Sequence, residues 1–83
     1  MKISVSQECI RNGAQSSVSS CPVALALKGA GLFGVEVDED TIGWHDETGL
    51  CKRKDTPPLV AQFIHAFDED RSFVKPFEFE LEV

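Results

Sequence analysis

Apolar and polar positions alternate at both ends of the chain. Ile3 and Val5 are set against Lys2 and Ser4, and Phe77, Phe79, Leu81 and Val83 against Glu78, Glu80 and Glu82. A period of two belongs to a strand with one face in a core and the other in water. Each end is therefore expected to be a strand, and the later one carries carboxylates spaced about 6 to 7 Å apart, twice the rise per residue. Val35 and Val37 around Glu36, then Ile42 and Trp44, repeat the alternation on either side of Asp38-Glu39-Asp40. That pattern predicts a hairpin with those four apolar side chains turned inward.

Between the strands the period changes. Ser6 is placed to cap a helix of about two turns, with Glu8 at the favourable positive end and Gly13 as the stop. Ala14 to Ser20 is small and polar and reads as a flexible, Ser-rich connector. Pro22 suits the first position of a second helix capped by Ser20 or Cys21, and Val23-Ala24-Leu25-Ala26-Leu27 is too uniformly apolar for a wet surface. Gly29 and Gly31 end it. Residues 46–55 hold turn formers and mixed charge and are read as a loop. Thr56 is expected to cap a third helix with Pro57 and Pro58 in its first turn. Leu59, Val60, Phe63, Ile64 and Phe67 form its apolar stripe. Asp68-Glu69-Asp70 opposes the dipole at the far end, so it marks the turn that follows. Pro76 cannot donate to a ladder and places the last strand after it or at a sheet edge.

The order strand, helical region, strand, strand, helix, strand predicts an α+β fold: a small antiparallel sheet of three or four strands with helices packed on one face. It fits a ferredoxin-like βαββαβ arrangement in which the final strand lies beside the first. RNA-binding domains of that shape expose aromatic residues for stacking, whereas Phe77 and Phe79 share the inward parity here.

At 83 residues the chain supplies one compact domain, residues 1–83, with a core that leaves a modest margin of stability. A net charge of -6 repels phosphate backbones, so direct nucleic-acid binding is disfavoured and a basic protein partner is favoured. No stretch approaches the roughly eighteen apolar residues of a membrane span, and the start lacks a signal-peptide pattern. Cys9, Cys21 and Cys51 are too few and too scattered for a secreted disulfide framework. Together these predict a soluble protein of the cytoplasm with no membrane partner.

The carboxylates are the main candidate site. Glu36, Asp38, Asp40, Glu78, Glu80 and Glu82 are assigned as partner-binding residues, acting on Arg or Lys of a basic surface. The plainer account of the tail is the solvated half of an amphipathic strand, its charges keeping an edge from aggregating. Lys52-Arg53-Lys54 is the one basic cluster and reads as an aid to solubility. At a helix start the dipole can favour a thiolate, which makes Cys21 the one candidate nucleophile, while the better reading is a small buried residue beside Pro22. No second Cys lies three residues away, and His45 and His65 show no triad spacing. Cys9, Cys21, Cys51 and His45 are possible zinc ligands by type, although their separations match no paired pattern. His65 falls on the wet side of its helix, and Trp44 in the core. Gly29, Gly31 and Gly34 follow a helix and do not form a phosphate loop. The expectation is a non-enzymatic protein without catalytic residues, metal or cofactor. Two other readings stand beside it: a thiol- or zinc-binding module built on Cys21, and a self-associating structural protein.

The chain resembles a group of short proteins encoded by bacteriophages and prophages. The resemblance lies in Ile3-x-Val5, Gln7-Glu8-x-Ile10-x-x-Gly13, Cys21-Pro22-Val23-Ala24-Leu25-Ala26-Leu27, Pro58 with Phe63-Ile64-x-Ala66-Phe67-Asp68, and Val74-x-Pro76-Phe77-x-Phe79-x-Leu81. It spans most of the chain outside residues 34–55 and rests on core and capping positions. It implies an accessory factor that acts in the host bacterial cytoplasm and blocks a host machine, as anti-CRISPR and anti-restriction inhibitors do; imitation of a nucleic-acid backbone is read instead from the regular spacing of the carboxylates. No catalytic residue carries over.

Overall fold

The computed structural model describes residues 1–82. Val83, the last apolar residue of the alternating tail, lies outside them. Strand β1 is Lys2–Val5, followed by helix α1 over Gln7–Asn12 and helix α2 over Pro22–Gly29. Strands β2, Phe33–Val37, β3, Thr41–His45, and β4, Cys51–Asp55, come next, and helix α3 runs over Pro58–Glu69. A 3-10 turn at Arg71–Phe73 leads into β5, Phe77–Glu80. The α+β class holds, with helices and antiparallel strands sharing one core.

The strands form two sheets where one was expected. β1 pairs antiparallel with β5, and β2, β3 and β4 make a second sheet in that order. α2 packs against both β1 and β2 and joins the two. The free edge of β2 is occupied by the connector, because the Val37 N–H donates to the Val18 carbonyl at 2.7 Å. A β-bulge also breaks the β2 register between Phe33 and Glu36. Gly34 sits there at φ 58°, and a Cβ on it would lie 2.7 Å from the His45 ring. A ferredoxin-like sheet would set the first strand against β3, but β2 and β4 take both edges of β3, so that sheet does not form, although the last strand does lie beside the first.

Local signals account for most elements. Ser6 accepts from the Cys9 N–H at 3.2 Å, Glu8 sits in the first turn and Gly13 ends α1. Cys21 caps α2 through its sulfur, with Pro22 in the first turn. Ile3, Val5, Val23, Leu27, Val35, Val37, Ile42, Trp44, Val60, Phe67 and Leu81 meet in one core. Its burial of large apolar side chains is what offsets the chain entropy of so short a domain. Among the described residues no helix is long and apolar enough to cross a membrane.

Four expectations need correction. Residues 51–55 are a strand, not loop: β4 pairs with β3 in the register Trp44 to Lys52 and Ile42 to Lys54. All five of its residues are exposed, so no hydrophobic period announced it. Helix α3 starts after Pro57 without a side-chain cap. Thr56 is used elsewhere, its hydroxyl donating to the Asp38 carbonyl at 2.8 Å and its N–H to Asp40. Leu59 of the α3 stripe is 59% exposed. The connector, finally, is tied down: Gln15 donates to the Phe67 carbonyl at 2.8 Å and the Ser16 N–H to Asp68 at 2.9 Å.

Candidate partner-binding surface

The six assigned carboxylates are divided between the two sheets. On β5 the acidic residues face solvent, opposite Ser4 and Lys2 of β1. Glu78 accepts from the Ser4 hydroxyl at 2.9 Å and pairs with Lys2 at 3.5 Å, and Glu80 lies 3.4 Å from the Met1 amine. The tail row thus carries cations of its own chain. Exposed pairs of this kind bind weakly and exchange readily with water or with a partner's Lys or Arg. Glu82 follows β5 and is exposed.

On the other sheet Glu36 stands opposite Gly43, and Gly43 stands opposite Arg53 of β4. The missing side chain at Gly43 leaves a small groove that Glu36, Asp38, Thr41 and Arg53 line. Asp38 turns back into its own loop, accepting the N–H of Asp40 at 2.8 Å and of Thr41 at 2.7 Å. Those backbone donors hold its carboxyl below the ordinary range, and the Arg53 charge helps. The Asp40 side chain is exposed and belongs to none of the ion pairs among the described residues.

A second acidic gathering escaped the sequence reading. Asp-Glu-Asp occurs twice, at 38–40 and 68–70, and the fold brings the two segments together. His65 links them, its Nδ1 lying 3.3 Å from Glu39 and its Nε2 3.0 Å from Glu69. A cleft of about 350 Å³ beside them is lined by Asp38, Glu39, Asp40 and Asp68. Asp68 is held by the Ser16 amide. Backbone amides steady Asp38 and Asp68 without cancelling their charge, so the cleft rim stays anionic. The identical tripeptides were the available signal; what hid the site was the distance between them in sequence. Two other acidic residues serve the chain itself. Asp46 organises the β3–β4 turn through Thr48 and Leu50, and Asp70 caps the 3-10 turn through Ser72, which places both carboxyls below the ordinary range.

The thiols are not brought together. Cys21 is 3% exposed, Cys9 is half-buried and Cys51 is exposed on β4 opposite His45. Burial pushes the Cys21 thiol up, outweighing the lowering hydrogen bonds from the Ala24 and Val23 amides. Cys21 is thus the small buried residue expected beside Pro22, and desolvation of the charged form outweighs the pull of the helix start towards a thiolate. Among the described residues no three His, Cys, Asp or Glu side chains gather as a metal-holding group. Trp44 is in the core and His65 is on the wet side of α3. Comparison of the chain with protein family models, with curated proteins and with solved structures finds no match.

Proposed function

We propose that the protein is a non-enzymatic accessory or inhibitor protein, of the kind phages direct against host machines, that binds the basic surface of a nucleic-acid-handling complex through its carboxylates. The observation that carries this reading is the meeting of the two Asp-Glu-Asp segments at one cleft. Gathering like charges opposes folding, and here backbone amides steady Asp38 and Asp68 while Glu39 and Asp40 stay open to solvent, so the field of the rim is available to a partner. A groove of Arg and Lys built for phosphates is complementary to such a rim. The tail glutamates of β5 form a second anionic strip whose exposed pairs with Lys2 and Met1 are exchangeable. An anti-CRISPR or anti-restriction role by nucleic-acid mimicry, exercised in the host cytoplasm without a cofactor, is the specific form of the proposal.

The test separates the two strips. Tagged wild type, Glu39→Gln/Asp40→Asn and Glu78→Gln/Glu80→Gln/Glu82→Gln are each used to recover nucleoprotein complexes from bacterial lysate. The double variant should lose about tenfold in recovery, the equivalent of about 1.4 kcal/mol, with a melting temperature no lower than that of wild type. The tail variant should lose less. Equal recovery by all three proteins would contradict the proposal.

A further inference from the structure

The backbone of β5 has a free side. The Leu81 N–H donates to the Met1 carbonyl at 2.8 Å and the Met1 amine donates to the Leu81 carbonyl at 2.8 Å. These two residues therefore form an exchange pair, and antiparallel strands alternate such pairs with non-bonded ones. Ile3 with Phe79 and Val5 with Phe77 are the next exchange pairs, whereas Lys2 with Glu80 and Ser4 with Glu78 are not. The N–H and C=O of Glu78 and Glu80 consequently point away from β1. Among the described residues no strand pairs there. Residues that show carboxylates on one face also own the unpaired amides of the edge.

The other face of β5 leads to a mostly apolar groove of about 320 Å³ between α3 and the segment before the strand, lined by Leu59, Phe63, Phe73, Val74, Pro76 and Phe77, with Gln62 and Lys75 as its polar members. Phe77 belongs to both strand and groove, its ring tilted 40° against that of Phe63 with centroids 4.7 Å apart. Leu59 and Phe73 are 59% and 63% exposed. Edge amides, a row of anions and an apolar groove thus meet at one strand.

We infer that the free edge of β5 takes up an extended segment of the partner protein as an added strand, one in which apolar residues alternate with Lys or Arg. The inference rests on the basic-partner reading and states how that partner is held. Its backbone would pair with Glu78 and Glu80, its basic side chains would face the glutamate row, and its apolar side chains would cover Phe77 and Phe79. A second copy of β5 fits poorly. Pairing in phase sets Glu opposite Glu, and a shift of one residue turns the aromatic side chains to the wet face. β4 of a second copy has Lys52 and Lys54 for the glutamates, but its other face carries Cys51, Arg53 and Asp55, which cannot fill the groove.

Hydrogen exchange of the 15N-labelled full chain tests this with a short blocked peptide of alternating Lys and Val. Saturating peptide should slow the Glu78 and Glu80 amides by about tenfold or more, and oligolysine of equal charge should not. Glu80→Pro, which removes an outward N–H and no ladder bond, should abolish the slowing at Glu78, whereas Glu80→Gln should keep it. Slowing by oligolysine to the same degree, or slowing that needs no peptide and grows with protein concentration, would overturn strand addition. So would peptide-induced shifts confined to Glu39 and Asp40; that outcome leaves the acidic-surface reading standing. Edge protection by the peptide, together with lysate recovery that ignores the carboxylates, would sink that reading alone.

Discussion

At Cys21 two forces pull the thiol in opposite directions. Amides of the first turn of α2 favour the thiolate, and the surrounding core disfavours it more strongly. A residue with capping geometry and no access to water is a structural part, which separates it from Cys51 on the open β4 strand. Iodoacetamide treatment of the native protein, followed by mass spectrometry, should label Cys51 first, Cys9 more slowly and Cys21 only after unfolding. Rapid labelling of Cys21 would restore the thiol-centred reading. Cap, proline and apolar run at 21–27 were legible in the sequence because each acts within one turn of helix. The exposure of Leu59 was not, because a helical stripe gives the direction of a side chain and says nothing of how far the neighbouring elements reach.

Among elements, the junction of α1 with the turn after α3 shows how distant segments complete each other. α1 ends with carbonyls that have no helical partner. Arg71 supplies them, donating to Ile10 at 3.1 Å, Arg11 at 2.7 Å and Gly13 at 3.2 Å, while its guanidinium stacks 5.3 Å from the centre of the Phe67 ring. Arg71→Ala should cost about 2 kcal/mol, read as a fall of roughly 10 °C in melting temperature. Arg71→Lys should recover only part of this, because an ammonium lacks the planar fork. An unchanged melting temperature for Arg71→Ala would show that the clamp is idle. Nothing at position 71 of the sequence distinguishes this arginine from a solvated one. β4 was hidden for a related reason: a strand exposed on both faces needs only backbone pairing to β3 and carries no alternation. Its Lys52 and Lys54, on the face of Ile42 and Trp44, also discourage a further strand from joining that edge. The hairpin, both terminal strands and α3 were legible because each buries one regular face. Their division into two sheets depended on β4, which takes the remaining edge of β3 and which no alternation announced.

For the whole molecule, charge is the organising quantity. The chain carries -6 on a body of radius of gyration 11.6 Å, close to the roughly 12 Å of a compact chain this long. Some of that charge is structural. Asp38 sits below the ordinary Asp value of 3.8 because its own turn donates to it. A group with a lowered folded pKa contributes stability above its unfolded value and loses it as pH falls through the folded value. Melting temperature should therefore fall as pH drops below 3.8, and less steeply in Asp38→Asn than in wild type. Identical acid slopes would remove Asp38 from this role. The carboxylates that remain, Asp40 and Glu39 at the cleft and the glutamates of β5, are those the account assigns to a basic partner. Their arrangement was half legible: the alternating tail announced one strip, while the cleft required the fold to bring residues 38–40 and 68–70 together. The most direct measurement is the salt dependence of the complex recovered by the wild-type chain. Raising ionic strength from about 0.1 M to about 0.5 M shortens the screening length by roughly half. Affinity should fall steeply over that range, and Glu39→Gln/Asp40→Asn should flatten the dependence. Tight binding that is unchanged across the range, or a slope the same in wild type and variant, would contradict it.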